Sequence, residues 1–335
     1  MMLNVRSPQL YLTLLLMVRP VFPLAQTFVV THAGGRMGKL LASQIREGAS
    51  LYKDAPANAD GSPLVKIRAV VRTEEEAMSI TCDLAGMTLR NGKTSYNKCD
   101  WLETVVVGDV LLEENARLLV EAFEGATGAI LCDASHNELI QMDDGKWSLR
   151  IPANENKEIS DRLLEEIKAA TKSKSLEHVV LRSSMGLFLS GSDISSYEGD
   201  EAMVLEAVKV MGGDEALLGP RRAEHALRAS DLDFTILRLG ALTDDAGMVP
   251  IVFGKDDSLL LKRIEGQNTR RPPMLSRADA ARVAASVLME RDFFAGKRLV
   301  IDCAWAPQWG RSSAGTKEAV SAASRQDLRK AILTV

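Results

Sequence analysis

Short apolar runs alternate with amphipathic segments along most of the chain. Several runs are apolar almost throughout and rich in β-branched residues, as strands buried on both faces of a sheet are. These runs lie at residues 27–31, 65–71, 103–107, 128–132, 178–181, 234–237 and 298–301. Strands that alternate with helices predict βαβ units. The expected fold class is therefore α/β, with a doubly wound, mostly parallel sheet flanked by helices.

Amphipathic helices are predicted between these runs because apolar residues recur there at three- and four-residue spacing. The clearest helices cover residues 37–45, 112–123, 154–171 and 276–288, and a last short helix is expected from residue 325. Ser276 and Asp279 have the spacing of an N-terminal capping pair.

The same pattern divides the chain into three parts. Residues 1–26 are a hydrophobic N-terminal segment or presequence, residues 27–303 form the α/β domain, and residues 304–335 form a polar tail. Two polar, turn-rich stretches interrupt the alternation at about residues 47–63 and 136–175, and we interpret them as insertions. The C-terminal part of the domain is expected to form a small substrate cleft.

The N-terminal segment has features of a targeting peptide. Arg6 precedes a nine-residue apolar run at 10–18, which is too short to span a membrane. We expect targeting to an organelle or the secretory pathway, with the plastid among the candidate destinations. The alternative is a cytoplasmic protein in which this segment packs on the domain as a helix or strand.

Composition excludes several classes of function. The chain has 335 residues, 46% of them hydrophobic and 26% charged, which is ordinary for a globular protein. A formal net charge of −4 gives no basic footprint for nucleic acid. The four cysteines are scattered and form no cluster with metal-ligand spacing, so no metal site is predicted.

The stretch VTHAGGRMG at residues 30–38 has the order strand, glycine-rich turn, helix that dinucleotide-binding folds require. Gly34, Gly35 and Gly38 would allow close approach of the backbone, and free N–H groups at the helix start would bind phosphate. A Walker A loop is excluded because Ala33 stands at its first glycine and Leu40 at its hydroxyl position.

His32 occupies the position where the first glycine of such a turn normally lies. A side chain there must turn away from the cofactor or accompany a strained backbone. His32 either lines the nucleotide edge or is a tolerated substitution, and we favour the second interpretation.

Two arginines indicate which dinucleotide is bound. Arg72 follows the second strand, where an arginine can meet the 2′-phosphate of NADP, and Arg36 is a second candidate phosphate partner. Alternatively, Arg72 pairs on the surface with a glutamate of the 74–76 run. Asp109, after the third strand, is a candidate to accept a hydrogen bond from adenine, to cap the next helix, or to do both.

Beyond the glycine turn, the stretches AVVR, VVVGDV, LRSSMGL, RRAEHALRASDLDFTILRLGALTDDAG and LSRADAARVAASVL follow in order. Together these stretches resemble the atypical short-chain dehydrogenase/reductase family, in particular its NmrA-like and plant-type NAD(P)-binding branch. The resemblance implies a Rossmann domain that binds NADP. The expected cofactor-binding residues are His32, Ala33, Gly34, Gly35, Arg36, Met37, Gly38, Arg72, Asp109, Val110, Cys132, Ala134 and Ser135.

The catalytic residues of that family are only partly present. Leu218 and Arg222 stand where active members carry a tyrosine and a lysine that act as acid and base. Ser184 follows the fifth strand, where the family often has a carbonyl-binding serine. Ser184 and Arg222 are therefore the catalytic candidates. The apolar cleft candidates are Met185, Leu187, Phe188, Leu239 and Met248.

These residues predict an NADP-dependent oxidoreductase that transfers hydride from NADPH to a small hydrophobic acceptor of the quinone, flavin or enone class. Its partner is a small-molecule substrate, since the cofactor itself carries the chemistry. The alternative is a non-catalytic NADP-binding regulator or assembly factor with a protein partner. A third alternative is that His32 has abolished cofactor binding.

Overall fold

The computed structural model describes most of the α/β domain. The described residues are 26–50, 65–85, 87–90, 93–96, 99–132, 138–141, 147–150, 155–188, 213–261, 273–306 and 325–335. The predicted N-terminal presequence therefore lies almost wholly outside the described residues. Ala134 and Ser135 also lie outside them, as do residues 51–63 of the first predicted insertion and parts of the second.

The strands of the described residues are short and mostly buried. They are β1 (Gln26–Val30), β2 (Val65–Val71), β3 (Met87–Arg90), β4 (Lys93–Tyr96), β5 (Leu102–Val106), β6 (Gly128–Leu131), β7 (Glu138–Gln141), β8 (Trp147–Arg150), β9 (His178–Ser184), β10 (Phe234–Leu239), β11 (Ala241–Thr243), β12 (Ile251–Gly254), β13 (Met274–Ser276) and β14 (Arg298–Trp305).

The helices lie between these strands and follow the last of them. They are α1 (Arg36–Ser50), α2 (Glu74–Ala85), α3 (Glu113–Phe123), α4 (Glu155–Lys172), α5 (Gly213–Ala229), α6 (Ser258–Leu261), α7 (Arg277–Met289), α8 (Arg291–Phe294) and α9 (Arg325–Thr334). None of the helices in the described part of the chain is long and apolar enough to cross a membrane.

The central sheet has eight strands in the order β12–β14–β10–β9–β6–β1–β2–β5. All neighbours pair in parallel except β12, which is antiparallel to β14. The chain proceeds from β1 towards β2 and β5, and then returns to β6 on the other side of β1. The predicted Rossmann-like, doubly wound α/β fold is confirmed, and its topological switch point lies between β1 and β6.

All seven predicted strands are found, and the described residues form seven further strands that were not predicted. The antiparallel edge strand β12 was missed, as were the hairpin β3–β4, the hairpin β7–β8 and the parallel pair β11–β13. Helix α1 continues to Ser50, so its last turn lies within the stretch that was predicted as a loop from residue 47. Period-two alternation is too short in these elements to stand out from turns.

Side chains alternate along each strand between two cores. Phe28 and Val30 of β1 belong to the core beneath α1 and α7, and Val29 belongs to the core beneath α3, α4 and α5. Helix α7 approaches the sheet closely because Gly128 has no side chain: a Cβ there would lie 2.6 Å from Leu288 Cδ1. The capping pair is confirmed, since the N–H of Asp279 donates to Ser276 Oγ over 3.0 Å.

Candidate functional site

The switch-point crevice opens at the carboxyl ends of β1 and β6. Thr31, directly after β1, joins the two strands: its hydroxyl accepts the Cys132 N–H over 2.9 Å. Ala33 is buried, and its N–H donates to the Val70 carbonyl of β2 over 3.0 Å. The glycine-rich turn is thus fixed to both neighbouring strands, and Cys132 lies at the predicted border of the crevice.

The glycines of the turn have no space for a side chain. A Cβ on Gly38 would lie 2.4 Å from the His32 carbonyl oxygen and 2.5 Å from Ala33 Cα. A Cβ on Gly34 would lie 2.8 Å from Glu76 Cβ. The Gly35 N–H donates to the His32 carbonyl over 3.0 Å. The first turn of α1 therefore packs directly on the end of β1, as a dinucleotide turn requires.

His32 has both a strained backbone and a side chain that turns away from the crevice. Its φ is +47°, which is in the left-handed region that glycine adopts freely and other residues rarely do. Its side chain points to α4, where Nε2 lies 2.8 Å from Glu166 Oε1; the two side chains are 13% and 3% exposed. Glu166 Oε2 is buried without a hydrogen-bond partner in the described structure.

Asp109 and Val110 lie at the same edge, after β5. The Leu111 N–H donates to Asp109 Oδ1 over 3.2 Å, and Arg162 Nε of α4 lies 3.5 Å from that oxygen. The alternative that Asp109 caps α3 is wrong, because the N-cap residue is Leu112 and makes no side-chain cap bond. Val110 is buried.

Two functional candidates of α4 were missed by the sequence analysis. Arg162 and Glu166 are four residues apart, so they face the crevice together from one side of the helix. In the sequence they belong to a strongly charged helix, which is usually a solvated face. Only their tertiary partners, Asp109 and His32, distinguish them from surface charges.

Arg72 has the surface partner that was weighed as its alternative. Its Nε lies 3.6 Å from Glu76 Oε1, and its backbone N–H donates to Glu76 Oε2 over 2.8 Å. Both side chains are partly exposed, so the pair lies at the rim of the crevice rather than in the core. Since Glu76 also packs on Gly34, this carboxylate borders the predicted cofactor site.

The remaining residues of the turn differ in their exposure. Met37 is buried in the core beneath α1. Arg36 is mostly exposed, and its NH1 lies 2.9 Å from Asp244 Oδ2, in the segment after β11. Arg36 is therefore directed across the crevice edge, where it can meet an anion.

Ser184 ends β9 at the carboxyl edge and pairs in register with Leu239 of β10. It is partly exposed, whereas its neighbour Ser183 is buried and donates to Glu224 Oε1 over 2.8 Å. Glu224 also accepts two bonds from Arg238, of 2.9 and 2.8 Å. The Ser183 hydroxyl is therefore bound to the buried ion pair of Glu224 and Arg238.

Arg222 lies on α5, and its guanidinium contacts α4. Its NH1 donates to Ser160 Oγ over 3.0 Å and to Asp161 Oδ1 over 2.7 Å. These contacts join the two helices. For Arg222 to act in catalysis, its side chain would have to leave Ser160 and Asp161. The catalytic role of Arg222 stays a prediction.

Two buried carboxyls that the sequence analysis missed lie beside Arg238. Asp302 of β14 pairs in register with Arg238, and Asp257 Oδ2 lies 3.7 Å from Arg238 NH1. Burial, reinforced by the charge of Asp257, raises the pKa of Asp302 to about 7. Burial also raises the pKa of Asp257, although the Gly186 N–H donates to it over 2.7 Å. These residues come from separate segments, so no spacing in the sequence relates them.

The apolar cleft candidates separate into two groups. Met185, Leu187 and Leu239 are buried, so they support the site without lining an open surface. Phe188 and Met248 are exposed. The Phe188 ring lies 4.9 Å from the Arg238 guanidinium carbon and meets the His225 ring edge-on at 5.5 Å.

Comparison with known proteins assigns the chain to a family. A model of the NAD(P)H-binding family matches residues 88–291, which is more than half of the chain. The chain belongs to the NAD(P)H-binding family. The resemblance predicted from the sequence is confirmed at the level of this NAD(P)H-binding family, and solved short-chain dehydrogenases/reductases share its Rossmann fold. Its assignment to the NmrA-like branch stays a prediction.

Individual relatives are distant. An uncharacterized chloroplastic protein of Arabidopsis thaliana is 24% identical over 276 residues, which are 78% of this chain but 65% of that protein. An oxidoreductase from Lactococcus lactis covers 92% of this chain and 98% of its own at 15% identity, with a TM-score of 0.51. A short-chain dehydrogenase/reductase from Veillonella parvula in complex with NADP has the same identity and TM-score over 84% of this chain and 95% of its own.

Proposed function

We propose that the protein is an NADP-dependent oxidoreductase that transfers hydride from NADPH to a small hydrophobic acceptor of the quinone, flavin or enone class. The observation that carries the proposal is the glycine turn at the switch point, where Gly38 leaves no room for a Cβ between helix and turn. In a chain of the NAD(P)H-binding family, such a turn is the expected seat of the cofactor.

The residues of the turn fit a pyrophosphate. The N–H groups at the start of α1 point out of the helix, and the helix dipole adds partial positive charge there. Gly34 and Gly35 would let these groups approach the anion, while Arg36 supplies a full charge. Asp109 and Val110 would border the adenosine half, with Cys132 along the other wall.

Preference for NADPH depends on the balance between Arg72 and Glu76. A 2′-phosphate would attract the guanidinium of Arg72 and repel the carboxylate of Glu76. Because Arg72 is partly exposed and paired over 3.6 Å, it can turn from Glu76 to the phosphate at small cost. The Veillonella parvula protein in complex with NADP supports this assignment by analogy of fold.

The choice of acceptor follows from the residues at the end of β9. The bound nicotinamide would supply the hydride. Ser184 would orient the acceptor by a hydrogen bond, and Arg222 would supply positive charge if it turned from α4. Without a tyrosine at position 218, a quinone, flavin or enone is a better acceptor than a simple ketone, because it can take its proton from water.

Oxidation of NADPH, followed at 340 nm with a panel of quinones, flavins and enones, tests the activity. We expect turnover with at least one acceptor, and about a tenfold or greater loss of kcat in Ser184→Ala with unchanged cofactor affinity. Ser183→Ala is the matched control for loss of a hydroxyl, because that serine faces α5. A protein that binds NADPH but reduces no acceptor would contradict the proposal.

Calorimetric titration with NADPH and NADH tests the cofactor preference. Arg72→Ala should weaken NADPH binding about tenfold and leave NADH unchanged, since only NADPH carries the 2′-phosphate. Glu76→Gln should favour NADPH further. Equal affinity of the unaltered protein for the two cofactors would contradict the proposal that Arg72 binds the 2′-phosphate.

We further propose that residues 1–26 direct the protein to the plastid, since the Arabidopsis thaliana relative is named chloroplastic. A fluorescent protein fused to these residues should accumulate in plastids, and cytoplasmic fluorescence would contradict this. The family match does not favour the alternative of a non-catalytic regulator.

A further inference from the structure

The carboxylate of Asp244 lies between two arginines at the rim of the crevice. Its Oδ2 is 2.9 Å from Arg36 NH1, and its Oδ1 is 2.6 Å from Arg277 NH1. Each oxygen therefore has its own guanidinium. This arrangement is the one by which arginine pairs bind phosphate groups as well as carboxylates.

The position of the pair follows from the topology. Arg36 is the first residue of α1, and Arg277 is the first residue of α7. Both helices pack on the same face and begin at the carboxyl edge of the sheet, because α1 follows the end of β1 and α7 leads to the start of β14. The register that pairs Thr243 with Ser276 brings Asp244 beside Arg277.

The three side chains differ in how firmly they are held. Arg277 is only 12% exposed, whereas Arg36 and Asp244 are mostly exposed. Asp244 follows β11 in a segment without regular structure, so its carboxylate can move away more readily than Arg277 can.

We propose that Arg36 and Arg277 form the anion site for the pyrophosphate of the dinucleotide, and that Asp244 competes with this pyrophosphate for the two guanidinium groups. Binding of the dinucleotide exchanges one carboxylate for a phosphate group at the same donors. The inference rests on the proposed function for its ligand, but Arg277 and Asp244 are additional to the residues proposed above. The pyrophosphate is common to NADH and NADPH, so the competition affects both alike.

Asp244→Asn is the test, and Asp245→Asn is its matched control. Asp245 is the next residue and is also exposed, but its carboxylate accepts from its own neighbour Thr243 over 2.8 Å. We expect Asp244→Asn to tighten the binding of NADPH and NADH by the same factor, about three- to fivefold at low salt. The gain should shrink at 0.5 M salt, as screening requires. Asp245→Asn should change neither affinity.

Arg277→Gln completes the test. This variant should weaken the binding of both NADPH and NADH. It should also remove most of the gain in affinity from Asp244→Asn, because Asp244 then no longer competes for the guanidinium of Arg277. Thermal unfolding of each variant, measured in parallel, separates loss of affinity from loss of folding.

Inorganic pyrophosphate is a probe that does not depend on the proposed function. The protein could bind no dinucleotide and yet bind pyrophosphate more tightly in Asp244→Asn. That result would support the anion site and contradict the proposed oxidoreductase function. An unchanged affinity for dinucleotide and pyrophosphate in Asp244→Asn would overturn the inference. A gain confined to NADPH would overturn it as well, since it would place the 2′-phosphate at this site.

Discussion

Replacement of His32 by glycine restores the usual residue of a dinucleotide turn, and yet we expect it to destabilise the protein. Relief of the left-handed backbone should contribute about 1 kcal/mol, and the greater freedom of glycine in the unfolded chain offsets most of it. The variant also leaves Glu166 buried, with no partner among the described residues for either carboxylate oxygen. Removal of one partner from a buried pair costs about 3 kcal/mol.

The expected net change is therefore a loss of about 3 kcal/mol in the free energy of unfolding for His32→Gly. For a chain of 335 residues, that lowers the melting temperature by about 4 °C. Urea unfolding followed by circular dichroism measures the free energy, and a thermal scan measures the temperature.

A double-mutant cycle isolates the pair. Glu166→Gln keeps the shape of the side chain and removes its charge, so His32→Gly should cost less than about 1 kcal/mol in that background. If His32→Gly stabilised the otherwise unaltered protein, or cost the same in both backgrounds, the pair with Glu166 would not be what holds histidine in the turn.

Two further predictions concern backbone packing and pH. Gly38→Ala should cost more than about 2 kcal/mol in urea unfolding and abolish NADPH binding, because its Cβ meets backbone atoms. Gly125→Ala is the control, because an added Cβ there meets only open space. It should lower the free energy of unfolding by about 1 kcal/mol because of the positive φ, and it should leave NADPH binding unchanged. Asp302 keeps its proton to about pH 7 when folded but to about pH 4 when unfolded, so its contribution to stability is lost as pH rises between these values. Asp302→Asn should therefore gain stability relative to the unaltered protein across that window in urea titrations, and parallel curves would contradict the buried acid.

The sequence was sufficient for the fold because each central strand is buried on both faces. Runs such as 128–131 contain no polar residue, and their order with the amphipathic helices leaves few topologies. Edge elements escaped detection for the opposite reason. Strand β12 has four residues, and α6, β13, α7 and α8 lie between it and its partner β14 in the chain.

The candidate site was predictable only where its residues follow one another in the chain. The glycine turn is local, so its position and its packing against β1 were expected from its spacing. The partners of its side chains are not local: Glu166 meets His32, and Asp244 meets Arg36, from segments more than 130 residues away. Charges on a helix and in a turn have nothing in their own neighbourhood to mark them as parts of a site.

The central claim is that the glycine turn binds a dinucleotide although histidine stands at its first position. Calorimetric titration of the full chain with NADPH tests this claim most directly. We expect saturable binding at one site per chain, with micromolar affinity that is lost in Gly38→Ala. Absence of binding at millimolar NADPH by a folded protein would contradict it.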